Sequence, residues 1–571
     1  MAAVSQAQSW TAGTKECVVQ RLFSLAAVAG AIGGMLLTAA SASASTSTAT
    51  QPSSIDWGAC SDPNLQYFNA QCGYLSVPLD YNDPSGPKIQ LAVSRIPHTS
   101  SNYQGAILTN PGGPGGSGVG LNPFLIAQFQ TDGYGDAAGD YDWIGFDPRG
   151  AGSSIPAVGC DPNYLGPDRP NYIPFTHQLL NTWLSRSRGY ANDCASQSTA
   201  QTALLHHLTT IDSALDMDSI RQALGQSQIS YYGYSYGTYL GQVYATLFPS
   251  HLRRLILDSN VDPRNVWYQA NLTQDVAFNR NENIWFAWLA KYDSVYHLGA
   301  TEQAVARTFY TTEAQLALHP AGGIVGPDEW VDAFLLPGYA QFLWPQWGQV
   351  FSDWVNHHDD AAANELIQLY QIADGPGDDN GFAVYLGVEC TDARWPTNWN
   401  IWSHDNWRIF TFAPFITWGN AWFNAPCIYW PAPPAHPVNI NGRSVSSALL
   451  IDETLDAATP FPGSLEVRKR FPNSVLLAEP GGTTHAETPS GDLCVDGTIA
   501  DYLATGALPP RNNHAPWDKT CPPPPTPVPA GASATAAARG AASAARLRSA
   551  TAVPGQTKQP LRLGLPAVEI R

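Results

Sequence analysis

Residues 229–248 constrain the fold more than any other stretch of the chain. An apolar-leaning run, Ile229-Ser230-Tyr231-Tyr232, enters Gly233-Tyr234-Ser235-Tyr236-Gly237, and Thr238 to Phe248 then reads as a helix. A strand, a turn too sharp for side chains and a helix together lift a serine hydroxyl above the edge of a sheet. Gly-x-Ser-x-Gly alone means little in 571 residues. The flanking strand and helix favour a nucleophile at Ser235 over a structural glycine-rich turn.

The surrounding chain has the alternation such a turn needs. Strand signals at Ile89–Val93, Ala106–Thr109, Trp143–Phe146, Ile229–Tyr232 and Leu255–Leu257 are separated by helical stretches. Several are nearly all apolar, as in strands covered on both faces. The pattern predicts an α/β fold with a mainly parallel sheet. A helix over Ile211–Leu224 should end at Gly225 in a left-handed cap. From about Asn265 to Pro437 the alternation stops, and Trp, Tyr and Phe accompany helical patterning at Val276–Leu289, Glu302–Leu318, Trp347–Trp354 and Ala361–Ile372. Strand signals resume at Ala448–Ile451 and Val475–Leu477.

The expected organisation is therefore a core over 57–264 and 438–521, interrupted by a helical insertion over 265–437 that would lie over the site as a cap. Residues 1–44 read as an export signal, with Lys15 and Arg21 before the uncharged run Leu22–Ala40 and small-x-small cleavage positions in Ala40-Ser41-Ala42-Ser43-Ala44. An uncleaved N-terminal anchor is the alternative. Residues 45–56 form a Ser/Thr/Ala linker. Residues 522–571 form a basic Pro/Ala-rich tail without apolar periodicity, expected to be disordered.

Charge and cysteine usage narrow the class. A formal net charge of -18 argues against a nucleic-acid partner, which needs an excess of Lys and Arg. It keeps an extracellular chain soluble, and it would also favour cationic substrates such as free peptide amines. Of nine cysteines, Cys17 lies in the leader. The other eight fall into sequential neighbours, Cys60 with Cys72, Cys160 with Cys194, Cys390 with Cys427 and Cys494 with Cys521, where short loops favour disulfides in an exported chain. Secretion, with no stable membrane association after signal cleavage, is the expectation. A zinc site is disfavoured because no Cys-x-x-Cys spacing occurs.

A serine nucleophile needs a base and an acid that orients it, and in this fold class both follow on loops after later strands. His485, in Glu479-Pro480-Gly481-Gly482-Thr483-Thr484-His485, is the only histidine shortly after a late strand. Asp456 is preferred as the acid, because Asp452 and Glu453 would still lie at the strand end. An oxyanion hole needs two converging N–H groups. One belongs to Tyr236, after the nucleophile. The other is assigned to Gly113, in the glycine-rich stretch Asn110 to Gly118.

The motifs Asn-Pro-Gly-Gly-Pro-Gly-Gly-Ser-Gly at 110–118, Gly-Phe-Asp-Pro-Arg-Gly-Ala-Gly-Ser-Ser at 145–154, Tyr-Tyr-Gly-Tyr-Ser-Tyr-Gly-Thr at 231–238 and Leu-Asp-Ser-Asn-Val-Asp-Pro at 257–263 resemble the exported tripeptidyl aminopeptidases and their prolyl-aminopeptidase relatives. Asp456-Ala457-Ala458-Thr459-Pro460, the His485 loop and Cys494–Cys521 resemble that family's C-terminal segment. The resemblance spans about 55–521. It implies an α/β-hydrolase fold with a helical cap, release of short peptides from free N-termini, and no metal or other cofactor. Two departures stand out. Thr484 precedes His485 where the family has glycine, and the insertion matches only in patches such as Gly387–Asp392 and Cys427–Pro431.

The expected chemistry is acyl transfer by Ser235, His485 and Asp456. A free amine also needs a carboxylate to receive it, and Glu389 and Asp392, beside Cys390, are candidates; the alternative is surface acids on a loop. Arg149 reads as a structural partner for nearby carboxylates. The rival functions are an exported carboxylesterase or lipase on the same fold, separated by its substrates, and a non-catalytic binding protein, which would be expected to lack a member of the triad.

Overall fold

The computed structural model describes residues 54–374 and 379–532. The leader at 1–44, residues 45–53 of the linker and the tail beyond 532 lie outside the described residues.

Ten strands form one sheet: β1 (Gly58–Ala59), β2 (Gln71–Pro78), β3 (Lys88–Ile96), β4 (Ala106–Asn110), β5 (Asp142–Phe146), β6 (Ile229–Tyr234), β7 (Leu252–Asp258), β8 (Ala448–Glu453), β9 (Ser474–Glu479) and β10 (Lys519–Thr520). Their spatial order is β1-β2-β3-β5-β4-β6-β7-β8-β9-β10. The pairs β1–β2, β2–β3 and β3–β5 are antiparallel, and every pair from β5–β4 to β9–β10 is parallel. Side chains alternate across a strand, so the central strands feed two cores. Tyr231, Leu255, Leu257, Leu450 and Leu476 enter one. Tyr232, Ile256, Leu449, Ile451 and Leu477 enter the other. Each fully buried side chain of this kind contributes about 1.5–3 kcal/mol relative to exposure, so a charge at Leu450 would break this part of the sheet.

The predicted helix end at Gly225 has a simple cause. The helix spans Thr210–Ala223, Thr209 caps its start by accepting from Asp212 N–H, and Gly225 follows with φ +67°. Two elements differ from expectation. The helix His177–Ala195 is hidden in the sequence because its buried stripe, Trp183, Ser187, Tyr190, Ala191 and Cys194, has helical spacing but is half small or polar. The helix expected over Val276–Leu289 starts two turns earlier, at Tyr268, because Asn271 and Asp275 are buried polar residues that mask the apolar period.

Between β7 and β8 the described residues are mostly helical, with Tyr268–Lys291, Glu302–Leu316, Trp344–His357, Asp360–Asp374, Asn380–Asp392 and Trp399–Phe410 the longest elements. This segment has its own aromatic core. Trp285, Phe309, Trp330, Phe334 and Phe351 meet with ring centroids 4.5–6.1 Å apart, contacts worth about 0.5–1.5 kcal/mol each beyond area burial. Disulfides join Cys60–Cys72, Cys160–Cys194, Cys390–Cys427 and Cys494–Cys521. Among the described residues no helix is long and apolar enough to cross a membrane.

Candidate active site

The carboxyl ends of β6, β7, β8 and β9 lie side by side, and the loops leaving them carry the candidate residues. Ser235 stands between β6 and the helix Tyr236–Leu247 with φ 53° and ψ −125°. A non-glycine residue in that region costs on the order of 1–3 kcal/mol, and the surroundings hold it there. Its N–H donates to the Asp258 carbonyl at 3.0 Å, and its carbonyl accepts the Thr238 hydroxyl at 2.6 Å. Gly237 is required by close approach, since a Cβ there would lie 2.7 Å from Asn110 Oδ1.

The loop after β4 rests on this turn. A Cβ at Gly112 would sit 2.9 Å from Ser235 Cβ and 3.2 Å from Tyr236 N. Tyr236 is the first residue of its helix, so its N–H has no intrahelical acceptor. The loop's own bonds run from Gly112 N–H to Asn110 Oδ1 and from Gly116 N–H to the Gly112 carbonyl, leaving the Gly113 N–H unused by them. Asp147, from the motif at 145–154, braces the same loop by accepting from the Ser117 hydroxyl and the Val119 N–H.

Asp456 and His485 are brought into direct contact. Asp456 lies just past β8 and is fully buried, and His485 lies on the loop after β9 and is 6% exposed. His485 Nδ1 is 2.7 Å from Asp456 Oδ2. The carboxylate also accepts from the Ala458 N–H, the Thr459 N–H and the Thr459 hydroxyl. Burial pushes the Asp456 carboxyl up, but the His485 charge and these donors outweigh it and hold the group below its ordinary value. A carboxylate at Nδ1 makes that nitrogen the donor and directs the basic lone pair of Nε2 outward. Nε2 is buried and bonds to none of the described residues, so the Ser235 hydroxyl and His485 make no hydrogen bond in this geometry. Catalytic hydrogen bonds of this kind commonly tighten only when substrate binds.

The helical insertion fixes both loops, through residues the sequence gives no reason to single out. Asn281 Nδ2 donates to the carbonyls of Leu455 at 2.9 Å, Gly338 at 3.1 Å and Thr483 at 3.4 Å. Arg280 donates to the carbonyls of Leu455 and Asp456. The His485 N–H donates to the Tyr339 carbonyl at 2.8 Å, and the Tyr339 ring meets the imidazole edge-on. No local motif could have revealed these contacts, because the partners are separated by up to two hundred residues.

Glu389 and Asp392 are not loop acids at the surface. Both lie on the helix Asn380–Asp392 and are 5% exposed. Asp392 accepts from the N–H and hydroxyl of Thr210, whose hydroxyl also meets the Tyr236 phenol at 2.8 Å. Glu389 accepts from Asn271 at 3.3 Å. Burial raises Glu389 to about 8 and Asp392 to about 7. Arg149 is a buried structural group whose guanidinium grips both oxygens of Asp216 at 2.7 Å.

Residues 105–335 match the alpha/beta hydrolase fold family, and residues 413–515 match the TAP-like protein family. The chain is 40% identical over 477 residues to the tripeptidyl aminopeptidase of Streptomyces coelicolor, covering 82% of this chain and 86% of that protein. It is 29% identical over 485 residues to the serine protease Hip1 of Mycobacterium tuberculosis, covering 80% and 90%. It is also 30% identical over 471 residues to carboxylesterase B of Mycobacterium tuberculosis, covering 80% and 88%.

Proposed function

The chain belongs to the tripeptidyl aminopeptidase family on the α/β-hydrolase fold and is a serine hydrolase of the peptidase kind, and from that membership we propose a secreted exopeptidase that releases short peptides, tripeptides foremost, from free N-termini. The observations that support the chemistry are the buried Asp456–His485 pair and the strained backbone of Ser235 on the loop after β6. Residues 57–264 and 438–521 form the catalytic core, and 265–437 the cap over it. Four disulfides support export to an oxidising compartment.

In this reading the Ser235 hydroxyl attacks the scissile carbonyl while His485 Nε2 takes its proton. Asp456 holds the resulting imidazolium, and the N–H groups of Gly113 and Tyr236 receive the oxyanion. His485 returns the proton to the leaving amine, and water then hydrolyses the acyl-enzyme by the same steps. Glu389 and Asp392, both buried on the helix Asn380–Asp392, are the candidate partners for the substrate ammonium, Asp392 accepting from Thr210 and Glu389 from Asn271. An ammonium beside Glu389 would favour its charged form, which burial alone disfavours.

The test is a panel of short peptide amides, free and N-acetylated, with the protein and its Ser235→Ala variant. Release of tripeptides only from free N-termini, abolished in the variant, is the expected result. The carboxylesterase relative and the aromatic insertion favour one second reading, an exported esterase. Turnover of simple esters without peptide cleavage would establish it instead.

A further inference from the structure

Three glutamates from separate parts of the chain meet behind the His485 loop. Glu453 ends β8, Glu479 ends β9, and Glu487 follows His485 by two residues. One carboxylate oxygen from each lies within 4.8 Å of the others. Glu453 and Glu479 are 3% and 2% exposed, whereas Glu487 is partly open to solvent. Oε1 of Glu453 and Oε1 of Glu479 are both buried without a hydrogen-bond partner among the described residues. The charged groups acting most strongly on Glu479 and Glu487 are all acidic: Asp258, Asp492 and Asp496, together with the trio's own members. Buried carboxylates without a counter-charge are strongly disfavoured, so something must neutralise them.

We propose that Glu453, Glu479 and Glu487 form a site for a hard divalent cation of the calcium type, which pins the loop carrying His485. Donors that are all carboxylate oxygens select hard cations over thiophilic ones. Three carboxylates from separate parts of the chain suit calcium, which takes about six to eight oxygens in flexible geometry, better than magnesium, which keeps several waters and is usually held by one or two carboxylates. Water reaching the open side at Glu487 completes the coordination. The link to the loop is direct. Glu453 Oε2 accepts from the Thr484 N–H, next to His485, and a Cβ at Gly482 would lie 2.2 Å from that same oxygen, so the loop is wrapped around the Glu453 carboxylate. The rival occupant is a proton shared between Glu453 and Glu487, whose carboxyls are within hydrogen-bonding reach.

The experiment takes the whole protein, stripped with a chelator, and titrates it with calcium alone and with magnesium alone. Bound metal is counted by equilibrium dialysis, and hydrogen exchange is followed over residues 480–488. The variants are Glu479→Gln and the partly exposed Glu487→Gln, which keep shape and remove a repelling charge. The expected result is one calcium per chain, slower exchange in 480–488 on binding, and affinity at least tenfold weaker in either variant. No saturable calcium site, or binding in both variants as strong as in the parent, would overturn the proposal. So would a melting temperature raised by Glu479→Gln alone in a protein that ignores calcium, the signature of shared protons.

Discussion

Replacing Asn281 with alanine separates the stability of this protein from its catalysis. Asn281 is fully buried, and its amide links the Asp456 loop, the His485 loop and the Gly338 turn through three carbonyls. The carbonyls do not lose equally. Leu455 keeps Arg280 as a donor, and the 3.4 Å bond to Thr483 is weak, so Gly338 is the one left without a partner. An orphaned buried carbonyl costs about 1–3 kcal/mol. For a chain of this size the unfolding entropy is on the order of 1 kcal/mol/K, so the melting temperature should fall by only about 2 °C. Catalysis should suffer more, because a displacement of about 1 Å in a catalytic group costs about a hundredfold. Steady-state kinetics on a free-amine tripeptide amide should show kcat reduced about 10- to 100-fold with KM nearly unchanged, since the loops set the base and acid rather than hold the substrate. If kcat and KM both stay within twofold of the parent, the insertion does not position the two loops, and the reasoning fails.

Thr459→Val removes a hydroxyl that donates to Asp456 Oδ2 at 3.0 Å. Losing a bond to a charged acceptor costs about 1.5–3 kcal/mol, so kcat should fall about tenfold or more, and an unchanged kcat would show that Asp456 needs no such support. Burial raises Asp275 and Glu389 to about 8 each. The unfolded chain releases these protons near pH 4, so their contribution to stability is full below about pH 4 and lost as the pH rises through 8. Calorimetry should therefore show melting temperature falling from pH 5 to 8. Asp275→Asn should flatten part of that slope, with the gain confined to the alkaline side; an unaltered slope would refute the assignment. Removing Cys390–Cys427, which closes a separation of 37 residues, should cost about 2–4 kcal/mol and speed hydrogen exchange in Asn380–Asp392. Exchange there no faster than in the parent would mean that the bridge does not secure this helix.

Some of this site is legible without a structure because its signals are local. The strand, turn and helix around Ser235 lie within twenty consecutive residues, and the apolar runs of β6, β8 and β9 announce themselves by composition. Asp456 and His485 stand out by their places after late strands. The signals fail where burial and polarity part company. For Glu389 and Asp392 the sequence leaves an ammonium-binding pair and surface acids both open, because acids are seldom buried; the helix carrying them is enclosed. The stretch 268–275 looks irregular because Asn271 and Asp275 face inward against polar partners rather than apolar ones.

The alternation of strands and helices, the sharp turn at Ser235 and the order of Ser235, Asp456 and His485 can be read along the chain, because each depends on residues adjacent in it. Packing alone brings Asn281 and Arg280 against the loops of Asp456 and His485, and gathers Glu453, Glu479 and Glu487 into one small space. Those relations join residues far apart in sequence through hydrogen bonds and charge at short range. A single chain read in order has no term for that distance, because proximity is set by how the sheet and the insertion pack.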